Sequence, residues 1–180
     1  MRQRLARLPL PFDYIKRRES RFWWALGLNF SLKLRTVETE DLDQVVSIEE
    51  SSFPDPYPSA LFWWFRFRAR DGFIVAFEDE VLGYAISEIH QNKGHIVSMA
   101  VSPEHRREGV GTALLQESLK RLASSTGEVY LEVRTTNKAA LRLYEKFSFT
   151  KTGETRHRYY PDGEDAILMR RVLNHSPFDK

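Results

Sequence analysis

Arg106, Gly109 and Gly111 stand between an apolar strand and a predicted helix, where residue types and spacing suit the capture of an anion. The strand, Val97-Ser98-Met99-Ala100-Val101, ends at Ser102-Pro103. The helix carries Ala113, Leu114, Leu115, Leu119 and Leu122 near a 3.6-residue spacing. A glycine loop between strand and helix aims free backbone N–H groups at one point, and the helix N-terminus adds about half a positive charge there. Glycine lets a phosphate oxygen reach the backbone with no Cβ in the way. Arg106 and Arg107 add charge that glycine lacks. The predicted chemistry is pyrophosphate binding. A Walker A loop would need Gly-Lys-Ser/Thr, and a dinucleotide fingerprint would need glycine where Leu114 stands. A bare G-x-G would fit an ordinary tight turn equally well.

The longer string Arg106-x-x-Gly109-x-Gly111 resembles the coenzyme-A-binding signature of the GNAT acetyltransferase superfamily. A second segment adds to the resemblance. After the alternating strand Val129–Arg134 comes Asn137-Lys138-Ala139-Ala140-Leu141-Arg142-Leu143-Tyr144-Glu145-Lys146-Phe147-Ser148-Phe149. It is similar to the superfamily's N-x-x-A-x-x-L-Y-E-K-x-G-F element, with Ser148 in place of the usual Gly. With Tyr159-Tyr160-Pro161-Asp162-Gly163-Glu164-Asp165-Ala166, the resemblance narrows to protein N-terminal acetyltransferases, both NatA-catalytic-subunit-like and RimI-like. It covers roughly Leu32 to Leu173.

The resemblance implies acetyl-CoA as co-substrate, coenzyme A as product and protein N-terminal peptides as acceptors. Its implied cofactor contacts are Met99, Ala100, Val101, Arg106, Arg107, Glu108, Gly109, Val110, Gly111, Thr112, Asn137, Ala140, Tyr144 and Lys146. Among them, N–H groups around Met99–Val101 would polarise the thioester carbonyl, and Asn137 would bond the pantetheine arm. For the acceptor it implies Phe53, Pro54, Asp55, Tyr57, Val97, Tyr159 and Tyr160.

Transfer of an acetyl group to an α-amine needs a path for the amine proton, a polarised carbonyl and a donor for the departing thiolate. An α-amino group has a reference pKa of about 7.7–8.0, so a modest base acting through water suffices. By resemblance to the base-associated pair of NatA-like enzymes, His95 and Glu132 are the candidates, expected to share one water on strands either side of the opening. Glu132 alternates against Val129, Leu131 and Val133, so its carboxylate leaves their apolar face. RimI-type enzymes carry Glu two positions before His95, where this chain has Lys93, which favours the NatA-like reading. Tyr144 is the candidate acid and, with Leu141 and Phe147, also suits a core position at helical spacing. A metal at His95 and Glu132 would lack an evident third ligand.

The chain has 180 residues, 42% of them hydrophobic, and no cysteine, which excludes disulfides, thiolate metal sites and cysteine nucleophiles. No apolar run reaches the roughly 20 residues that span a bilayer. The start lacks the apolar stretch and cleavage site of a signal peptide, so a cytoplasmic location is expected. The net charge of +2 conceals an asymmetry. Residues 1–34 hold eight Lys/Arg against Asp13 and Glu19, while the remainder is net acidic. A basic, aromatic arm (residues 1–31) is expected before an acetyltransferase domain (residues 32–175), either touching RNA at the ribosome or packing its aromatics on the domain.

The expected elements are a strand over Leu32–Val37, a helix from an N-cap at Thr39 to about Ser51, and a proline-rich loop from Phe53 to Pro58. A helix Ala60–Arg68 capped by Ser59 follows, then strands Phe73–Glu78, Val81–Ile89 and Gly94–Val101. The cradle helix, the strand Val129–Arg134, the Asn137 helix and strands Thr150–Arg158 and Asp165–Val172 complete the order. The implied fold is α/β, a mixed sheet splayed open beside the cofactor and flanked by helices. Fold alone does not select the acceptor. Acetylation of lysine or a small amine, and a non-catalytic acetyl-CoA-binding module at the ribosome, stay open at this point.

Overall fold

The computed structural model describes residues 32–173. The basic segment before them, with its expected RNA contact, lies outside the described residues. Among the described residues, seven strands form one sheet: β1 (Lys33–Thr36), β2 (Phe73–Phe77), β3 (Val81–His90), β4 (Lys93–Val101), β5 (Glu128–Arg134), β6 (Thr150–Arg156) and β7 (Ala166–Val172). Four α-helices join them: α1 (Leu42–Ser52), α2 (Ser59–Arg68), α3 (Val110–Ala123) and α4 (Lys138–Lys146). The spatial order is β1-β2-β3-β4-β5-β7-β6, and β4 with β5 is its parallel pair. Element order and mixed sheet are as the sequence reading expects.

Alternation along the strands divides the core between two faces. Phe73 and Val75 of β2, Tyr84 and Ile86 of β3, and Ala100 of β4 pack with Val45 and Ile48 of α1 and Phe62 and Phe65 of α2. Val129, Leu131 and Val133 of β5, with Met169 of β7, pack against Leu115, Leu119 and Leu122 of α3. Both clusters join sheet residues two apart with helix residues three or four apart, the two periods that bury one face of each element.

Strand β4 is where the sheet opens. Its pairing with β5 covers three residues, Gly94 with Val129 through Ile96 with Leu131. Against β3, Ile86 pairs with Ser98 and Ser87 with Ile96, so Val97 is an extra residue, a β-bulge. Val97 packs on the first cluster, and the next residue, Ser98, also turns to that side, its Oγ 2.9 Å from the Tyr84 hydroxyl. Beyond Ile96, among the described residues, β4 has no partner on its β5 side, while β5 continues along β7 to Arg134.

Two helix starts differ from expectation. Thr39 opens a short 3₁₀ turn to Asp41 rather than capping α1. The buried Asp41 instead accepts the Glu38 N–H at 2.8 Å and both terminal nitrogens of Arg35, at 2.6 and 2.8 Å. Burial alone would raise the Asp41 pKa, but the Arg35 bonds and the Glu38 amide outweigh it and hold the group below the carboxylate range. A charge-assisted fork outcompetes a neutral hydroxyl for this turn. Ser59 lies inside α2, whose first turn is bonded through the Pro58 carbonyl to Leu61 N–H at 2.8 Å.

Glu49, on the last turn of α1, is 2% exposed. One carboxyl oxygen accepts the Tyr57 backbone N–H at 3.0 Å, and the other accepts the Tyr84 hydroxyl. The network ties the 53–58 loop to β3 and, through Ser98, to β4. Burial raises the Glu49 pKa, with the Tyr57 and Tyr84 bonds pulling the other way. A carboxyl raised on folding contributes stability below its unfolded pKa of about 4.3, lost as pH climbs through the higher folded value. Glu49→Gln removes that titration. Urea unfolding should show the variant gaining on wild type as pH rises from about 4.3 until Glu49 is fully ionised. A constant difference between the two curves would mean that Glu49 folds with an unshifted pKa.

Candidate active site

The opening between β4 and β5 brings His95 and Glu132 together. His95 Nε2 lies 2.7 Å from Glu132 Oε2. The two side chains are thus in direct contact. Their strands explain this: His95 pairs with Tyr130 across the parallel register, and Glu132 follows two residues on, on the same face of β5. The His95 ring stacks on Tyr130 with centroids 4.4 Å apart and 7° between planes. Glu132 Oε1 is gripped by Arg156 Nη1 at 2.7 Å. Burial would raise the Glu132 pKa, but the His95 hydrogen bond, the His95 charge and Arg156 outweigh it and keep the group low. An ionised Glu132 only accepts, so His95 Nε2 carries the proton in that contact, leaving Nδ1 as the acceptor in the neutral ring. Arg156 brings a cation where a third metal ligand would be needed, which opposes a metal ion at this pair.

A glycine turn opens α3, where the sequence spacing places the expected cradle. Gly109 is the N-cap of α3 in a left-handed conformation, φ +93°, and Ala113 N–H makes the first helical bond to the Gly109 carbonyl at 3.0 Å. The N–H groups of Gly109, Val110, Gly111 and Thr112 precede that bond and have no intrahelical acceptor. A Cβ on Gly111 would meet only ordinary contacts, Val101 Cγ2 at 3.5 Å and Leu143 Cδ2 at 3.7 Å. The fold therefore does not require glycine at 111. Arg106 is anchored, with Nε on the Val101 carbonyl at 3.1 Å and Nη2 on Ser52 Oγ at 3.1 Å, so it ties the cradle to β4 and α1. Arg107 is exposed at φ +69°, and Glu108 turns to His105 Nδ1 at 3.2 Å. Val110 is buried, which leaves its backbone as the part that faces the cradle.

Strand β4 from Met99 to Val101 lies between cradle and pair. Met99 packs towards the second cluster and Ala100 is buried in the first. Asn137 caps α4, its Oδ1 accepting Ala140 N–H at 3.0 Å, which leaves its amide nitrogen free of that bond. Ala140 packs on the second cluster, and Lys146 ends the helix exposed. Tyr144 is 7% exposed and meets Phe149 edge-on at 5.8 Å, a member of the core as the helical spacing suggested. Burial pushes its pKa up to about 12.

Two loops flank the pair, and Arg134, which sequence reading did not single out, holds them together. From the end of β5 it reaches Asp55 at 3.4 Å, Asp162 at 2.6 Å and Glu164 at 2.9 Å, with its guanidinium 4.0 Å from the Tyr160 ring centre. Glu164 also accepts the Thr136 N–H at 2.9 Å, and with Arg134 this holds its pKa down to about 2. Asp55 is therefore paired within the protein. Tyr159 and Tyr160 meet edge-to-face at 5.1 Å, with Arg156 over Tyr159 at 5.6 Å. Phe53 packs on the first cluster beside the exposed Pro54, and Tyr57 lies 6.5 Å from Phe65. Arg134 and Arg156 both fall on the Glu132 face by strand alternation. That is the signal that could have found them.

Comparison with known proteins agrees with this arrangement. The model of the acetyltransferase (GNAT) family matches residues 38–149. The chain is 41% identical over 161 residues to a protein of Sulfolobus acidocaldarius named N-alpha-acetyltransferase, covering 81% of this chain and 94% of that one. It is 31% identical over 140 residues to the ribosomal protein bS18-alanine N-acetyltransferase of Escherichia coli, covering 76% and 94%. The crystal structure of Ard1 from Thermoplasma volcanium superposes with a TM-score of 0.76 at 29% identity, over 79% of this chain and 98% of that one. With a glycine cradle, a splayed parallel pair and a family match over more than half its length, the chain belongs to the GNAT acetyltransferase family.

Proposed function

We propose that the protein transfers the acetyl group of acetyl-CoA to the α-amine of protein N-termini, with His95 as the base and Glu132 as the group that orients it. The observation that carries this reading is the 2.7 Å contact between His95 and Glu132 at the mouth of the β4–β5 opening. The similarity to proteins named N-alpha-acetyltransferase supports the choice of acceptor.

When bound, acetyl-CoA supplies an activated thioester carbonyl. The N–H groups of Gly109, Val110, Gly111 and Thr112 hold its pyrophosphate, with the charges of Arg106 and Arg107 beside them. The Asn137 side-chain amide is the donor left for the pantetheine arm. On β4, the N–H groups released from the β5 side between Met99 and Val101 polarise the carbonyl. His95 accepts the amine proton at Nδ1, and ionised Glu132 steadies the imidazolium that results. The Tyr144 hydroxyl donates to the sulfur as charge develops there. Phe53, Pro54, Tyr57, Val97, Tyr159 and Tyr160 line the acceptor's path, and Arg134 closes it by joining the two loops.

The acceptor is tested with a panel of peptides varying at their first two residues, compared with free lysine and polyamines. Peptides should be acetylated at the α-amine, read by mass spectrometry. Turnover of lysine or polyamines in preference to every peptide would overturn the reading. On the best peptide, His95→Ala and Glu132→Ala should each lower kcat on the order of 10²-fold or less. The double variant should lose far less than the product of the two, because the residues act as a unit. Fully multiplying losses would assign two independent roles.

The cradle carries its own test. Gly111→Asp places a carboxylate where the pyrophosphate binds, while Gly111 neighbours leave ordinary contact distances for a Cβ. Calorimetric titration should show acetyl-CoA binding lost in a variant whose Tm stays within a few degrees of wild type. Retained affinity would remove the cradle from the cofactor site.

A further inference from the structure

The sheet face that carries His95 and Glu132 continues into an open groove of about 790 Å³. Its lining includes Lys93, Lys151, Arg156 and Arg170 against Glu128 and Glu154. The groove is therefore net positive in a region of chain whose overall charge, outside residues 1–34, is negative. Lys93 is matched by Glu128 at 3.4 Å, and Arg156 by Glu132 and Glu154 at 2.7 and 3.8 Å. Among the described residues, Lys151 and Arg170 have no ion-pair partner, and both are exposed.

Two groove residues belong to the catalytic pair's own surroundings. Tyr130 lines the groove and stacks on His95, and Arg156 lines it and grips Glu132. On β7, Arg170 pairs in register with Tyr130, two residues along from the Leu168–Glu132 pair. An extended chain advances about 3.3 Å per residue, so from Glu132 to Glu128 the face runs about 13 Å, four residues of an extended acceptor.

We infer that this groove binds acidic side chains downstream of the acceptor's first two residues, making the protein selective for N-termini followed by Asp and Glu. The inference rests on the proposed reaction. A peptide whose α-amine meets His95 lays its third to sixth residues along the groove, where Arg170 and Lys151 are the cations left to pair. Each exposed pair is worth about two- to five-fold, so the two together give about tenfold. The attraction is screened by salt.

The experiment compares two peptides sharing their first two residues, one with Asp and Glu at positions three to six and one with Asn and Gln there. Wild type should show a kcat/KM ratio of about ten in favour of the acidic peptide at low salt, falling towards one at 0.5 M NaCl, a measurement that needs no variant. Lys151→Glu/Arg170→Glu should bring the ratio to one or below. Arg170→Gln should give an intermediate ratio should the double reversal fold poorly. Equal kcat/KM for both peptides in wild type at low salt overturns the inference, as does a ratio unchanged by the substitutions. A ratio of one together with RNA binding that the double reversal abolishes assigns the groove to RNA and overturns it too. If neither peptide is acetylated while free lysine is, the proposed reaction fails. Equal acetylation of both peptides defeats the groove alone.

Discussion

Strands β4 and β5 pair over three residues and then part, and the functional half of the molecule is arranged around that parting. The cause is local to β4. The bulge at Val97 sets two β4 residues, Val97 and Ser98, against one step of β3, which bends the strand and turns both towards the first core cluster. Strand β5 is held on its other side by seven consecutive pairs with β7 and cannot follow. The same bend puts His95 before the opening, where it still reaches across to β5, and Met99–Val101 after it, where their amides are released. A flat, fully paired sheet would satisfy those amides and leave no cleft for a thioester.

Polar ties rather than apolar contacts set the walls of the cleft. Glu49 anchors the 53–58 loop through a backbone amide, and Tyr84 passes that anchor to Ser98 at the bulge. Arg134 draws Asp55 and the Asp162–Glu164 turn to the end of β5. Arg156 does the same for Glu132 from β6. Directional bonds are suited to this work because an apolar contact tolerates sliding, whereas a forked guanidinium loses its partners when a loop shifts by an ångström. Exposed pairs contribute little to stability individually. Their value at Arg134 is geometric, since one side chain spaces two loops that are distant in sequence.

Much of this was legible in the residues. Helical and alternating periods locate the strands and helices, and the strand–glycine–helix pattern locates the cradle, because each depends on neighbours close in sequence. The pairing of His95 with Glu132 was legible only as two residues bordering one opening; their direct contact follows from a parallel register that no local pattern encodes. The bulge at Val97 left no glycine or proline to announce it. Arg134 and Arg156 were readable as strand-face residues, but the partners of Arg134 come from two loops, and Arg156 reaches Glu132 from β6 only across β7, inserted between β5 and β6. Thr39 and Ser59 show the opposite failure, where good local capping residues are displaced by Asp41, held by a long side chain from β1, and by a backbone carbonyl.

Tyr144 shows how a core position and a chemical one coincide. Its ring packs on Phe149 in the second cluster, and burial lifts its pKa to about 12. A thiol has a reference pKa of about 8.5. Full proton transfer from this phenol to a departing thiolate is therefore uphill, and burial makes it harder than it would be for an exposed tyrosine. The same burial favours the protonated phenol, which can donate a hydrogen bond to a developing charge. In the proposed reaction Tyr144 thus acts by holding its proton against the sulfur rather than by surrendering it. The departing thiolate then takes its proton from solvent, or from the His95 side once the amine has been deprotonated.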